Sequence, residues 1–137
     1  MIVVDTNVVA YCWTNGPLTA MAQALRVADP DWHAPVLWRS ELRNVLIGLL
    51  RAGSLSAVDV RSIIAAAEQG MRAGEHYLAS ERVLAVAERS RLSAYDCEYV
   101  ALADALGTVL VTADRAILRA CPGRACSMGE FLERRGN

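Results

Sequence analysis

Apolar positions along the chain switch repeatedly between an extended and a helical period, and the switch points divide it into short strands and helices. Ile2, Val3 and Val4 form a β-branched run that favours a strand only when both of its faces are buried. The run passes through Asp5 into a helical pattern carried by Val8, Val9 and Cys12. Gly16-Pro17 breaks that pattern, and the spacing predicts a second helix through Met21, Leu25 and Ala28, ended by the Asp29-Pro30 turn. A brief strand is expected at 32–35. Over 37–52, Leu42, Val45, Leu46 and Leu49 repeat at helical spacing, with Gly53 as the stop. Ser56 opens another helix with Val60, Ile63, Ile64 and Ala67 inward, closed by Gly74, and these two helices are expected to form a hairpin. The pattern continues as a strand at 75–78, helices at 80–89 and 93–106, and the strand TVLVT at 108–112. A helix at 115–120, an edge strand near Ala125 and Cys126, and a last helix at 128–134 complete it. Such βα alternation predicts an α/β fold, a three-layer sandwich with a mostly parallel, twisted sheet flanked by helices, as one domain over residues 1–137.

Composition narrows the function without choosing it. With 54% hydrophobic and 21% charged residues over 137 positions, the chain carries enough apolar material to fold without a disulfide or structural metal. Its 14 basic residues are all Arg, against 15 acidic ones, so bulk charge selects no partner. The absence of Lys, together with abundant Ala, reads as the bias of a GC-rich bacterial genome. Cys12, Cys97, Cys121 and Cys126 lack a C-x-x-C pair, and His33 and His76 lie far from them, so zinc-ligand spacing is missing and reduced thiols are expected. The start MIVVD has no basic n-region, and the uncharged stretch 6–25 is broken by Thr, Asn, Gly, Pro and Gln. A cytoplasmic protein is expected.

The acids carry the chemistry. Ligands of open parallel sheets collect at the carboxyl ends of the strands, where Asp5 follows the first strand and Asp114 follows TVLVT. At 100° per residue, Glu41 shares a face with Leu37, Asn44, Val45 and Gly48, beside the apolar stripe. Asp96 likewise lies with Tyr99, Val100 and Ala103, whereas Glu98 is expected on the far, solvated side. Unpaired burial of a carboxylate costs several kcal/mol, and two charges ~4 Å apart repel by about 4 kcal/mol at an effective dielectric of 20. Arg39, Arg43 and Arg115 are too few to answer four acids at one edge, so an oxygen-only site points to Mg²⁺ or Mn²⁺. Capping is the competing explanation: Asp5 and Asp114 are placed as N-caps, and Ser93-Ala94-Tyr95-Asp96 has the form of a capping box, as does Ser56-Ala57-Val58-Asp59. It leaves Glu41, in mid-helix, unexplained.

The ordered set IVVDTNVV, SELRNVL, LSAYDCEYVALA and TVLVTAD resembles a PIN-domain ribonuclease, specifically a toxin of the bacterial VapC type, over essentially the whole chain. The resemblance places the family's acidic positions on Asp5, Glu41, Asp96 and Asp114, and its supporting polar positions on Asn7, Asn44 and Thr112. It implies Mg²⁺- or Mn²⁺-dependent endonucleolytic cleavage of RNA, leaving 5′-phosphate and 3′-hydroxyl ends. Asp5 and Asp96 are then the direct metal ligands, Asp114 a direct or water-mediated one, and Glu41 the group that orients or deprotonates water. It also implies a cognate antitoxin, through which alone DNA would be contacted, and a homodimer. Trp13, Trp32 and Trp38 are candidates for such an interface or for the core. Two other classes compete. A receiver-type phosphoacceptor domain requires a site lysine that this chain lacks, and a binding module of the same fold without catalysis would not need all four acids.

Overall fold

The computed structural model describes all 137 residues. Five strands form one sheet: β1 (Ile2–Val4), β2 (Trp32–Pro35), β3 (Glu75–His76), β4 (Leu110–Val111) and β5 (Ala125–Cys126). Their order is β3-β2-β1-β4-β5, and every neighbouring pair is parallel, so the sheet is wholly parallel. Parallel neighbours require crossovers, and eight helices supply them: α1 (Thr6–Trp13), α2 (Thr19–Ala28), α3 (Leu37–Arg51), α4 (Ala57–Met71), α5 (Ser80–Glu88), α6 (Ala94–Leu106), α7 (Arg115–Ala120) and α8 (Met128–Gly136). Central β1 is buried on both faces, as its β-branched sequence demands. The buried apolar residues make one continuous cluster, from Ile2 to Phe131, without a second core.

From β1 the chain adds β2 and then β3 on one side, after which it returns across the sheet to add β4 and β5 on the other. The strand order therefore reverses between β1 and β4, the place where the carboxyl ends of an open parallel sheet leave a crevice. Register aligns that crevice: Val4 pairs with Val111, so the next residues, Asp5 and Thr112, lie side by side at the sheet edge.

The expected elements occur in the expected order, and three details differ. The strand expected at 75–78 stops at His76, because β2 ends at Pro35 and leaves Tyr77 no partner, and Tyr77 is exposed. The strand expected at 108–112 is only Leu110–Val111, preceded by the left-handed turn at Gly107 (φ 63°). Gly74 serves as more than a helix stop. It sits in a 3₁₀ turn, Arg72–Gly74, where an added Cβ would lie 1.9 Å from the Trp32 carbonyl oxygen. Trp32 and Trp38 are core residues, and half-buried Trp13 meets Trp32 edge to face with ring centroids 6.0 Å apart. The four cysteines are free, and no helix is long and apolar enough to cross a membrane.

Candidate active site

A cleft of about 470 Å³ opens at the carboxyl edge of β1 and β4, lined by Asp5, Asn7, Glu41, Asn44, Asp96 and Asp114, with Thr6, Ser40 and Tyr95 among them. Six of the seven positions singled out in the sequence thus share one cavity wall, and the seventh, Thr112, lies directly beneath it. Each acid arrives on a different element. Asp5 ends β1 and caps α1, Glu41 projects from the second turn of α3, Asp96 from the first turn of α6, and Asp114 caps α7.

Asp5 is 8% exposed. Its Oδ1 accepts from the Thr6 amide at 2.7 Å and its Oδ2 from the Thr112 hydroxyl at 2.7 Å. Thr112 Oγ1 in turn accepts from the Asp114 amide at 3.0 Å, so one buried threonine links the two strand-end acids. Burial pushes the Asp5 carboxyl up to about 6, against its two hydrogen bonds and with help from the charges of Glu41 and Asp96. Burial also raises Asp96, and Asp114 and Glu41 raise it further. The acids therefore feel one another. No cation lies within ion-pair distance of any of them: Arg39 is held by Glu75 and Glu68, and Arg43 and Arg115 form no ion pair.

Capping accounts for part of this. Asp114 accepts from the amides of Ala116 and Ile117, at 2.8 and 3.2 Å, and is a genuine N-cap. Asp96 differs from its look-alike. In α4 the box is closed, Asp59 reaching back to the Ser56 amide, whereas in α6 Ser93 accepts from the Asp96 amide and the carboxylate makes no bond to the Ser93 amide. It lines the cleft instead. Asn7 and Asn44 are exposed on its wall.

The donor set is all oxygen and carries uncompensated negative charge, which suits a hard divalent ion. No three of the carboxylates converge closely enough to make a ready-made chelate.

Sequence reasoning missed the hydroxyl layer under Glu41. Tyr99, 1% exposed, donates to Glu41 Oε1 at 2.6 Å, and Thr6 Oγ1 lies 3.0 Å from the same oxygen and 2.6 Å from the Tyr99 hydroxyl. The signal was present, since Tyr99 follows Asp96 by one helical turn and Thr6 follows Asp5. Glu98 corrects the expectation of a solvated side. It is half-buried beside α5 in a second cavity with Leu78, Val83, Leu84 and Tyr95, close enough to Glu41 for its carboxyl to be raised by burial and by that charge. The packing of α5 onto α6 covers what an isolated helix would leave exposed.

A wholly parallel β3-β2-β1-β4-β5 sheet with acids from four elements at its reversal point is an arrangement that known proteins share. The PIN-domain model matches residues 2–121, and the chain belongs to the PIN-domain family, in its VapC type. Two relatives, both named ribonuclease VapC3, from two strains of Mycobacterium tuberculosis, are each 30% identical over 121 residues, covering 88% of this chain and 88% of their own length. Among solved structures, PAE2754 from Pyrobaculum aerophilum aligns with a TM-score of 0.75 over 98% of this chain and 96% of that one. At 21% identity this likeness speaks for the shared fold.

Proposed function

We propose that this protein is a metal-dependent endoribonuclease, the toxin of a toxin–antitoxin pair, that hydrolyses RNA phosphodiesters with water. The observation that carries the proposal is the cleft itself: four carboxylates on one wall, two of them raised by burial and further by the others' charge, and no cation to answer them. Asp5 and Asp96 would hold Mg²⁺ or Mn²⁺ directly, and Asp114 directly or through water. Such an ion lowers the pKa of bound water and offsets charge on phosphoryl oxygens. Thr112 fixes the orientation of Asp5, and Glu41 is the base or orienting group for the attacking water. Asn7 and Asn44 offer donors and acceptors on the cleft rim, suited to the sugar–phosphate backbone.

Without the four site acids, basic residues outnumber acidic ones, so the rest of the chain is compatible with a polyanion. Exposed Arg43 and Arg115, chain neighbours of Asn44 and Asp114, are free to fork onto phosphate. The name ribonuclease VapC3 favours RNA as substrate, and the VapC-type resemblance implies an antitoxin as partner. The apolar cavity with Leu78, Val83 and Leu84 adjoins the acidic cleft through shared Tyr95, a place for an antitoxin segment to reach the site from outside. A homodimer and a cytoplasmic location belong to the same proposal.

The test is incubation of the purified chain with RNA and Mn²⁺, with and without EDTA. Cleavage is expected only with the ion, and Asp96→Asn is expected to lower it by about 100-fold or more, the scale on which loss of one group stabilising transition-state charge is felt. Undiminished cleavage by Asp96→Asn would remove this cleft from the reaction, and no cleavage by the wild type would leave a binding module.

A further inference from the structure

We propose that Tyr99 is a positioning residue for Glu41: with Thr6 it ties one oxygen of the Glu41 carboxylate into a buried ring, leaving the other oxygen free in the cleft for the attacking water. The ring rests on three distances: Tyr99 Oη to Glu41 Oε1, 2.6 Å; Thr6 Oγ1 to Tyr99 Oη, 2.6 Å; Thr6 Oγ1 to Glu41 Oε1, 3.0 Å. Its members come from three helices, α6, α1 and α3, so it also pins together the elements that frame the cleft. Tyr99 and Thr6 are buried, while Glu41 is only half-buried and lines the cavity. Glu41 Oε2 has no hydrogen-bond partner within the protein, so the carboxylate is anchored at one end and available at the other.

Hydrogen counting ranks the two hydroxyls. Against an ionised Glu41 the ring has three oxygen–oxygen contacts but only two hydrogens, one on each hydroxyl. Tyr99 donates its hydrogen to Glu41 across the shorter contact, and the single Thr6 hydrogen is shared between the Glu41 and Tyr99 oxygens. Tyr99 is then the stronger charge-assisted donor, and Thr6 the weaker one that also polarises it. Burial and the Glu41 charge hold the Tyr99 phenol well above its ordinary range, so it stays a donor at any working pH. A long side chain such as Glu loses rotamer freedom when fixed, and a buried hydroxyl pair that bears this cost beforehand leaves less reorganisation for the reaction.

The catalytic half of this inference rests on the hydrolytic function proposed above, and the experiment separates the two. In Mn²⁺-dependent RNA cleavage, Tyr99→Phe is expected to fold and to lower kcat roughly 10- to 100-fold with KM changed less than about twofold, the scale of an outer partner that orients a reacting group. Thr6→Val should lose less than Tyr99→Phe, and Thr6→Ser should recover most of that loss. In a Glu41→Gln background Tyr99→Phe should cost almost nothing more, because both act through one carboxylate. Independently of activity, proton NMR of the metal-free protein should show a slowly exchanging Tyr99 hydroxyl resonance, absent in Tyr99→Phe and displaced in Glu41→Gln. Wild-type kcat in Tyr99→Phe, or an equal further loss in the Glu41→Gln background, would overturn the positioning role. A Tyr99 hydroxyl resonance indifferent to Glu41→Gln would overturn the ring itself, even if the wild type proved not to cleave RNA.

Discussion

Two buried aspartates sit at opposite edges of the same sheet and are treated in opposite ways. Asp29, at the amino-terminal edge and 3% exposed, is met by the Met1 ammonium at 2.9 and 3.1 Å and by Arg135 at 2.8 Å. Asp5, at the carboxyl-terminal edge and 8% exposed, has only a hydroxyl and an amide as donors, and its charged neighbours are further acids. Burying a carboxylate demands compensation, and the fold provides it in full at one edge and withholds it at the other. Asp29 is a structural acid whose counter-charges are built in. Asp5 stays in a state that folding alone does not relieve, the mark of a position shaped by something other than stability.

The contrast can be broken most forcefully with pH. Because the folded value of Asp5, about 6, exceeds the ordinary 3.8, the folded chain takes up this proton first as pH falls. Its contribution to stability is therefore present in full below about pH 4 and lost as pH rises through about 6. A shift of this size corresponds to about 3 kcal/mol. Denaturant unfolding of the metal-free wild type and of Asp5→Asn, compared at pH 4 and pH 7, should show the wild type losing up to that much relative to the variant. Parallel pH curves would mean that Asp5 is not strained.

The second perturbation acts at the other edge. Asp29→Asn keeps the shape but removes the charge that two cations face, and should cost about 1.5 to 3 kcal/mol of unfolding free energy at pH 7. RNA cleavage by the variant that remains folded should be unchanged. A cost near zero would show that exposed Met1 and Arg135 are served equally well by water, and would erase the contrast from the structural side.

How much of this was legible in the sequence follows from what each signal depends on. Element order and the parallel sheet were legible because βα alternation is written in local hydrophobic period, and β1 could be read as central because Ile2, Val3 and Val4 have no polar face. Strand ends were not, since they depend on partners: Tyr77 leaves the sheet because Pro35 ends the neighbouring strand. Gly74 looked like a stop signal, and its close approach to the Trp32 carbonyl exists only after β2 and the 3₁₀ turn have met. At the site, Asp5, Glu41, Asp96 and Asp114 were found by position along strands and helix faces, and the structure places all four on one cleft. Thr6 and Tyr99 escaped because a hydroxyl announces nothing until its acceptor is known, and Glu41 lies 35 and 58 residues away from them. Glu98 was misjudged for the same reason, its surroundings being set by α5.

The central claim, that the carboxyl-edge acids lack a protein counter-charge and are answered by a divalent cation, is tested most directly by calorimetric titration of Mn²⁺ into metal-free protein at pH 7.5. Wild type and Asp29→Asn should bind the ion saturably and alike, and Asp5→Asn should bind at least about tenfold more weakly. No binding by the wild type, or equal binding by Asp5→Asn, would contradict it.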